Sequence, residues 1–356
     1  MTSHVPDSGY TVAVLGATGL VGSRLLAILE ERQFPIKRLK PLASQRSAGE
    51  SIRFRGEPVE VLLAEPEAFE GVDIVLASAG ASISARLAPE AVKRGAVVVD
   101  NTSQFRMEEG VPLVVAGVND DDLRAHKGII ANPNCSTSQL MPVLKALHDA
   151  AGLTRVIVST YQSVSGAGKE AIDELRAVTA EQLAAPDGAA VSRHEVFARC
   201  MAFNLIPHID VFLTEGPLSG YTKEEAKVVW ETRKILHLPS LPVTCTAVRA
   251  PVMVGHSESV TLEFERPLSP EAARDILKST PDVIVADGPA DYHTPQETAG
   301  TDPVYVSRIR PDSSNPERGL NLWVVADNLR IGAALNAVRI AEQLIARKLL
   351  GAAASV

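Results

Sequence analysis

Tyr10–Phe34 reads YTVAVLGATGLVGSRLLAILEERQF, and the order of residue types in it decides the architecture of the first part of the chain. A β-branched apolar run passes into a glycine-rich turn, then into apolar positions at helical spacing: Leu20, Leu25, Ala27, Ile28 and Leu29. That is a strand, a tight loop and a helix. Gly16, Gly19 and Gly22 stand between the two elements. Backbone without side chains can approach a pyrophosphate there, and the unsatisfied N–H groups of the helix start stabilise its charge. The spacing is GxxGxxG rather than GxGxxG, so the motif alone also fits an ordinary tight turn.

Outward from this unit, apolar runs recur at VDIVLASAG (72–80), GAVVVDNTS (95–103), LVVAGVN (113–119) and GIIANPN (128–134), with helical patterns such as SARLAPEAVKR (84–94) between several of them. Continuous Val/Ile runs separated by helices predict a doubly wound, Rossmann-type parallel sheet over residues 1–133. From Leu153 the texture changes. TRVIVSTYQSVSG (154–166), LPVTCTAVRAPVMVG (241–255) and ESVTLEFERPL (258–268) alternate, as strands with one covered face do. A second, α+β domain is therefore expected over 134–328, with a loop at RPDSSNPERG (310–319) and a strand at LNLWVVAD (320–327). A final helix over 329–350 carries one stripe, Ile331, Leu335, Val338, Ala341 and Ile345, expected to pack back on the first domain, which thus comprises 1–133 plus 329–356.

Composition narrows the function classes. The 356 residues are 46% hydrophobic and 22% charged, enough for two ordinary cores. There is no run of 18 apolar residues, and MTSHVPDSGY lacks the basic-then-apolar plan of a secretory leader, so a cytoplasmic protein without membrane association is expected. Cys135, Cys200 and Cys245 are too few and too unevenly spaced for a disulfide framework or a zinc site, and no metal is expected. A net charge of −8 opposes nucleic acid as a partner.

The second strand ends in PLASQRSAG (41–49), without the acidic residue that pairs a ribose 2′-hydroxyl. Ser44, Arg46 and Ser47 stand there instead, a hydroxyl and guanidinium set that suits a 2′-phosphate, so NADP(H) is read over NAD(H). SVSGAGKE (163–170) resembles a phosphate loop, but Ser163 replaces its first glycine and Glu170 its final hydroxyl residue.

NPNCSTSQ (132–139) places Cys135 at the expected start of a helix. Asn134 or Ser136 would cap it, Leu140, Leu144 and Leu147 would form its apolar face, and Gly152 would stop it. A thiol of pKa ~8.5 is only slightly ionised at neutral pH, and helix N-terminal N–H groups shift it toward thiolate and can hold an oxyanion. Cys200 and Cys245 lie in apolar or strand contexts and read as small buried hydrophobes.

Together with DNTSQFRM, PLVVAGVN, YQSVSGAGK, EEAKVVWETRKIL, VRAPVMVGHSE and VVADNLRIGAALNAVRIAEQL, the glycine and cysteine stretches follow one another in an order that closely resembles the aspartate-β-semialdehyde dehydrogenase family. Ser138 departs from the apolar residue usual at its place. The resemblance implies a phosphorylating, NADP-dependent oxidoreductase. It would reduce L-aspartyl-4-phosphate to L-aspartate 4-semialdehyde and phosphate through a cysteine thioester, in the biosynthesis of lysine, threonine, methionine and isoleucine.

Carried onto this sequence, the resemblance makes Cys135 the nucleophile, Gln162 a residue orienting the acyl group, and His256 a general acid/base near its natural pKa. Arg249 would clamp the substrate carboxylate, Glu224 its ammonium group, and Arg106 and Lys227 the phosphate, with Asn134 also at the substrate. Gly16, Thr18, Gly19, Leu20, Val21, Gly22, Ser44, Arg46, Ser47, Ser165, Gly166 and Asn328 would hold the cofactor. A homodimer or tetramer is implied, with subunit contacts expected over 178–209. An N-acetyl-γ-glutamyl-phosphate reductase is the nearest rival; its acetylated amine would leave Glu224 with nothing to pair.

Overall fold

Val12, Ala13, Val14 and Leu15 are buried because β1 (Tyr10–Leu15) is an inner strand of a parallel sheet. The computed structural model describes residues 9–186 and 189–350; most of the stretch read for a leader, and Asp187 and Gly188 of the 178–209 segment, lie outside them. After β1 come α1 (Leu20–Glu31), β2 (Ile36–Ala43), the hairpin β3 (Ser51–Phe54) and β4 (Glu57–Glu60), and β5 (Leu62–Leu63). Then follow β6 (Ile74–Ala77), α2 (Ala81–Lys93), β7 (Val97–Asp100) and β8 (Ile129–Ala131). The sheet order is β5-β2-β1-β6-β7-β8, all parallel. The apolar runs thus form the doubly wound sheet they predicted.

The order reverses at β1, whose neighbours are β2 and β6, and this opens a crevice at the carboxyl end of β1. Gly16 lies there at φ 87°, and a β-carbon on Gly22 would fall 2.1 Å from the Gly16 carbonyl oxygen. Only glycine lets α1 sit this close to the turn.

LVVAGVN is not the strand its run suggested. Leu113 makes one isolated bridge to Ala131, and the Asn119 carboxamide takes the Val115 amide and donates to the Leu113 carbonyl, each at 2.9 Å. A side chain there satisfies backbone groups that a ladder would have paired.

The next part of the chain contains α3 (Cys135–Ala151), β9 (Leu153–Gln162), α4 (Lys169–Ala184), α5 (Lys223–Ile235), β10 (Val243–Arg249) and β11 (His256–Phe264). It continues with α6 (Pro270–Lys278), β12 (Val283–Val285), the single turn α7 (Pro295–Thr298), β13 (Val304–Pro311) and β14 (Gly319–Ala326). These strands form a mixed sheet in the order β10-β9-β11-β14-β13-β12. α3 packs on β9, β11 and β14, and α5 on β10.

Register stacks the covered face in rows. Val243, Val156 and Leu262 make one row, Cys245, Val158 and Val260 the next, and Ala247, Thr160 and Glu258 the third. The last row holds Arg249 and Gln162, with His256 one residue beyond the Ser257–Tyr161 pair. The face passes from apolar to ionisable toward the end of β9. Arg249 ends β10 and His256 begins β11, strands on either side of β9, and the intervening chain turns at Gly255, φ 97°.

The final helix is shorter than the apolar stripe implied. Asp327 accepts the amides of Leu329 and Arg330, Arg330–Ala334 form one wide turn, and only then does α8 (Leu335–Ala346) begin. α8 buries Leu335, Val338 and Ala341 and packs against α1, β6 and β7. Two compact units result, one holding the described residues up to Pro133 with those from Ala333, the other Asn134–Gly332. Among the described residues no helix is long and apolar enough to cross a membrane, and no His/Cys/Asp/Glu group could hold a metal ion.

Candidate active site

Asn134 caps α3, its side-chain oxygen taking the Ser136 amide at 3.0 Å, and Gly152 at φ 73° closes the helix. Cys135 is the first helical residue, partly exposed and not in a disulfide. Its Sγ lies 3.1 Å from Nε2 of His256. The other ring nitrogen, Nδ1, receives the Ser163 amide at 3.1 Å. A peptide N–H can only donate, so Nδ1 must accept, and the neutral ring carries its proton on Nε2, toward the sulfur.

His256 is fully buried. Burial, and next the charge of Arg249, lower its pKa from 6.5 to about 3. An imidazole near its natural value, as the sequence suggested, is not what the fold builds; this ring is neutral throughout the physiological range.

Ser163 organises the surrounding groups. Its carbonyl accepts from Arg249 Nη1 at 2.7 Å, and its hydroxyl reaches Asn328 Oδ1 at 3.0 Å. Asn328 also takes the Gly255 amide at 2.9 Å and bonds Ser165. Ser165 and Asn328, expected at the cofactor, thus buttress the histidine. Gly166 is beside them, where a β-carbon would approach Arg249 Nη1 to 3.1 Å.

The predicted substrate residues of this unit converge. Glu224 Oε1 accepts from Asn134 Nδ2 at 2.9 Å and from Gln162 Nε2 at 3.2 Å, while its Oε2 pairs with Lys227 at 3.0 Å. Burial alone would raise this carboxyl, but Lys227, Asn134 and Arg249 outweigh it and hold it down at about 2. Lys227 in turn loses hydration on burial, yet Glu224 and Asp210 keep its pKa above the usual lysine value. Cys245 is buried in β10, and burial pushes its thiol up, as befits an inert core residue.

Arg106 belongs to the other unit, where it bonds the carbonyls of Asn132 at 2.9 Å and Asn101 at 2.8 Å. That unit also holds a cleft of about 580 Å³ at the carboxyl end of β1, lined by Gly16, Thr18 and Gly19, by Ser44 and Gln45, and by Arg86 among others. The start of α1 has no side-chain cap and no acidic residue in its first turn, which leaves its N–H groups for an anion. Of the three residues proposed for a 2′-phosphate only Ser44 lines the cleft; Arg46 is exposed outside its lining and Ser47 is buried. Leu20, Val21 and Gly22 also stand behind the lining, as parts of α1 itself.

Sequence reasoning missed Ser163, Gly332 and Arg86. Ser163 directly follows Gln162 but was read only as a defect in a phosphate loop. Gly332, a glycine inside a helical pattern, was a signal of close approach: a β-carbon there would lie 2.8 Å from that of Cys135. Arg86 gave no signal beyond a helix surface.

The sheet and glycine turn mark a dinucleotide-binding unit, and the other unit sets a thiol beside an imidazole. Residues 11–126 match the model of a semialdehyde dehydrogenase NAD binding domain, and 144–331 that of a semialdehyde dehydrogenase dimerisation domain. The aspartate-semialdehyde dehydrogenase of Aquifex aeolicus is 49% identical over 96% of this chain and 100% of its own. The crystal structure of aspartate semialdehyde dehydrogenase II of Vibrio cholerae, complexed with ASA, superposes with a TM-score of 0.90 at 47% identity, over 96% and 99% of the two chains. That of Candida albicans, with NADP, has a TM-score of 0.74 at 26% identity over 96% and 100%. The chain belongs to the aspartate-semialdehyde dehydrogenase family.

Proposed function

We propose that this protein catalyses the NADPH-dependent reduction of L-aspartyl-4-phosphate to L-aspartate 4-semialdehyde and phosphate, in the biosynthesis of the aspartate-derived amino acids. The observation that carries the reading is the sulfur of Cys135 at the start of α3, 3.1 Å from an imidazole nitrogen that bears a proton. Both the helix start and the N–H support negative charge on sulfur.

Thiolate adds to the acyl phosphate, and the carbonyl π pair moves onto oxygen. The oxyanion re-forms its double bond and expels phosphate, which takes a proton from water, leaving the Cys135 thioester. A bound nicotinamide supplies the hydride that this acyl group needs. The reduced acyl carbon then carries an oxyanion, which collapses to the aldehyde and restores the thiolate. No step requires His256 to ionise. Its Nε2–H serves as a donor to developing oxyanions, a contribution generally worth about 10²- to 10³-fold.

Arg249 spends one nitrogen on the Ser163 carbonyl and offers the rest of its fork to the substrate carboxylate. Glu224, ionised well below neutrality, would take the ammonium group, with Gln162 and Asn134 fixing its orientation. Lys227 would hold phosphate.

NADP would be held by the uncapped α1 start and the cleft beside Gly16, Thr18, Gly19 and Ser44. The Candida relative with NADP supports that choice. A homodimer is supported by the matched dimerisation domain and by the sheet face turned away from α3, where Tyr161, Ser259, Thr261 and Trp323 are only half-buried. Phe203 and Leu205, inside the predicted contact segment, and Val211 and Phe212, just after it, are exposed. Light scattering checks this mass.

The deciding assay is reduction of NADP+ with aspartate semialdehyde, run with and without phosphate. Turnover that needs phosphate is expected; turnover indifferent to phosphate refutes the acyl-phosphate chemistry. Cys135→Ser should fold normally and lose turnover by about 10³-fold or more, and near-parent activity would remove Cys135 as nucleophile.

A further inference from the structure

Beneath the catalytic row is a carboxyl group that the chemistry above does not use. Glu258 is two residues along β11 from His256 on the same sheet face, level with Thr160 of β9 and Val324 of β14. It is 0% exposed, and neither carboxyl oxygen has a hydrogen-bond partner. An ionised carboxylate in that setting would lose its hydration with nothing to replace it.

The charged and titratable neighbours offer no compensation. Arg249, in the row above, is engaged with Ser163 and faces Glu224. His256 is neutral, while Cys245 lies one row below, and Glu224 and Glu225 project from α5. The polar side chain within reach is Gln139 of α3, one helical turn after Cys135. Its Nε2 points to the His256 carbonyl oxygen at 3.4 Å, and its Oε1 also has no partner. Two neighbouring acceptors without a donor between them call for one proton, and the carboxyl is the group able to carry it.

We infer that Glu258 is held as the neutral acid and donates its O–H to Oε1 of Gln139, which positions the carboxamide that anchors the His256 main chain. Glu258 is thus a positioning residue. It ties α3, which carries the sulfur, to the first residues of β11, which carry the imidazole. Burial pushes its carboxyl well above the ordinary 4.5 and outweighs the Gln139 carboxamide, which pulls it down.

The test compares Glu258→Gln, which keeps the shape and a donor, with Glu258→Met, which keeps only bulk. A buried acid must stay protonated in the folded protein while the unfolded chain ionises. The Gln variant should therefore gain stability over the parent by about tenfold in folding equilibrium for each pH unit above 4.5, and match it at lower pH. This readout does not depend on the proposed reaction.

In the assay, Glu258→Gln should keep kcat within about twofold, while Glu258→Met should lower kcat by about tenfold with KM little changed. A Gln variant less stable than the parent at pH 8, or a stability difference that ignores pH, overturns the neutral acid. Equal kcat in the two variants overturns the positioning role. If Glu258→Gln does not fold, infrared spectra decide: a protonated carboxyl band that persists at pH 8 and shifts in Gln139→Met supports the inference, and its absence refutes it.

Discussion

A β-carbon on Gly332 would fall 2.8 Å from the β-carbon of Cys135 and 3.1 Å from its Cα, so the nucleophile's position is set partly by what residue 332 lacks. Gly332→Ala should push the start of α3 and lower kcat by about 10²-fold with the fold retained, since a misplacement near 1 Å is worth that much. Parent-like kcat would show that the helix start yields freely. Arg249→Lys replaces a planar fork by a single ammonium whose first partner would again be the Ser163 carbonyl. Apparent KM for the semialdehyde should rise by about tenfold or more, and an unchanged KM would take Arg249 out of carboxylate binding. Among single residues, Cys135 was readable because its neighbours are cap and stop signals. His256 was readable only as a histidine, because its state depends on burial and on a main-chain amide that no spacing encodes.

At the scale of elements, α3 is the clearest translation of sequence into structure: cap, apolar face and terminal glycine are all where residue chemistry put them. Asn134 links that helix to the site, since one end of its carboxamide caps α3 and the other holds Glu224. Asn134→Ala should lower unfolding stability by about 1 kcal/mol through the lost cap and weaken substrate binding as well. Full stability in denaturant titrations would mean that Ser136 takes over the cap. Two elements were misread for identifiable reasons. LVVAGVN has the composition of a strand, but Asn119 captures its backbone; the last helix was extended upstream because Asp327 and the wide turn after it obey no apolar period.

For the whole molecule, the parallel sheet was legible because strands buried on both faces leave continuous apolar runs. The row of Arg249, Gln162 and His256 was not, because it arises from register between strands far apart in sequence. That row couples the site to global stability. The fold holds His256 near 3 while the unfolded chain titrates at 6.5, so the unfolded state binds the extra proton as pH falls below 6.5. His256→Gln should therefore gain stability relative to the parent by about tenfold in equilibrium per pH unit between 6.5 and 4.5, with a constant difference above 7. A difference independent of pH across that window would mean that the imidazole is not held neutral. Glu224, held near 2, gives loss in the same direction at still lower pH.

The group that sets the histidine's tautomer is the peptide nitrogen of residue 163, not a side chain. Scanning mutagenesis is blind to it: nineteen of the twenty coded residues would keep that hydrogen, and only proline would delete it. A determinant of reactivity can thus lie in the main chain, where replacing side chains does not remove it.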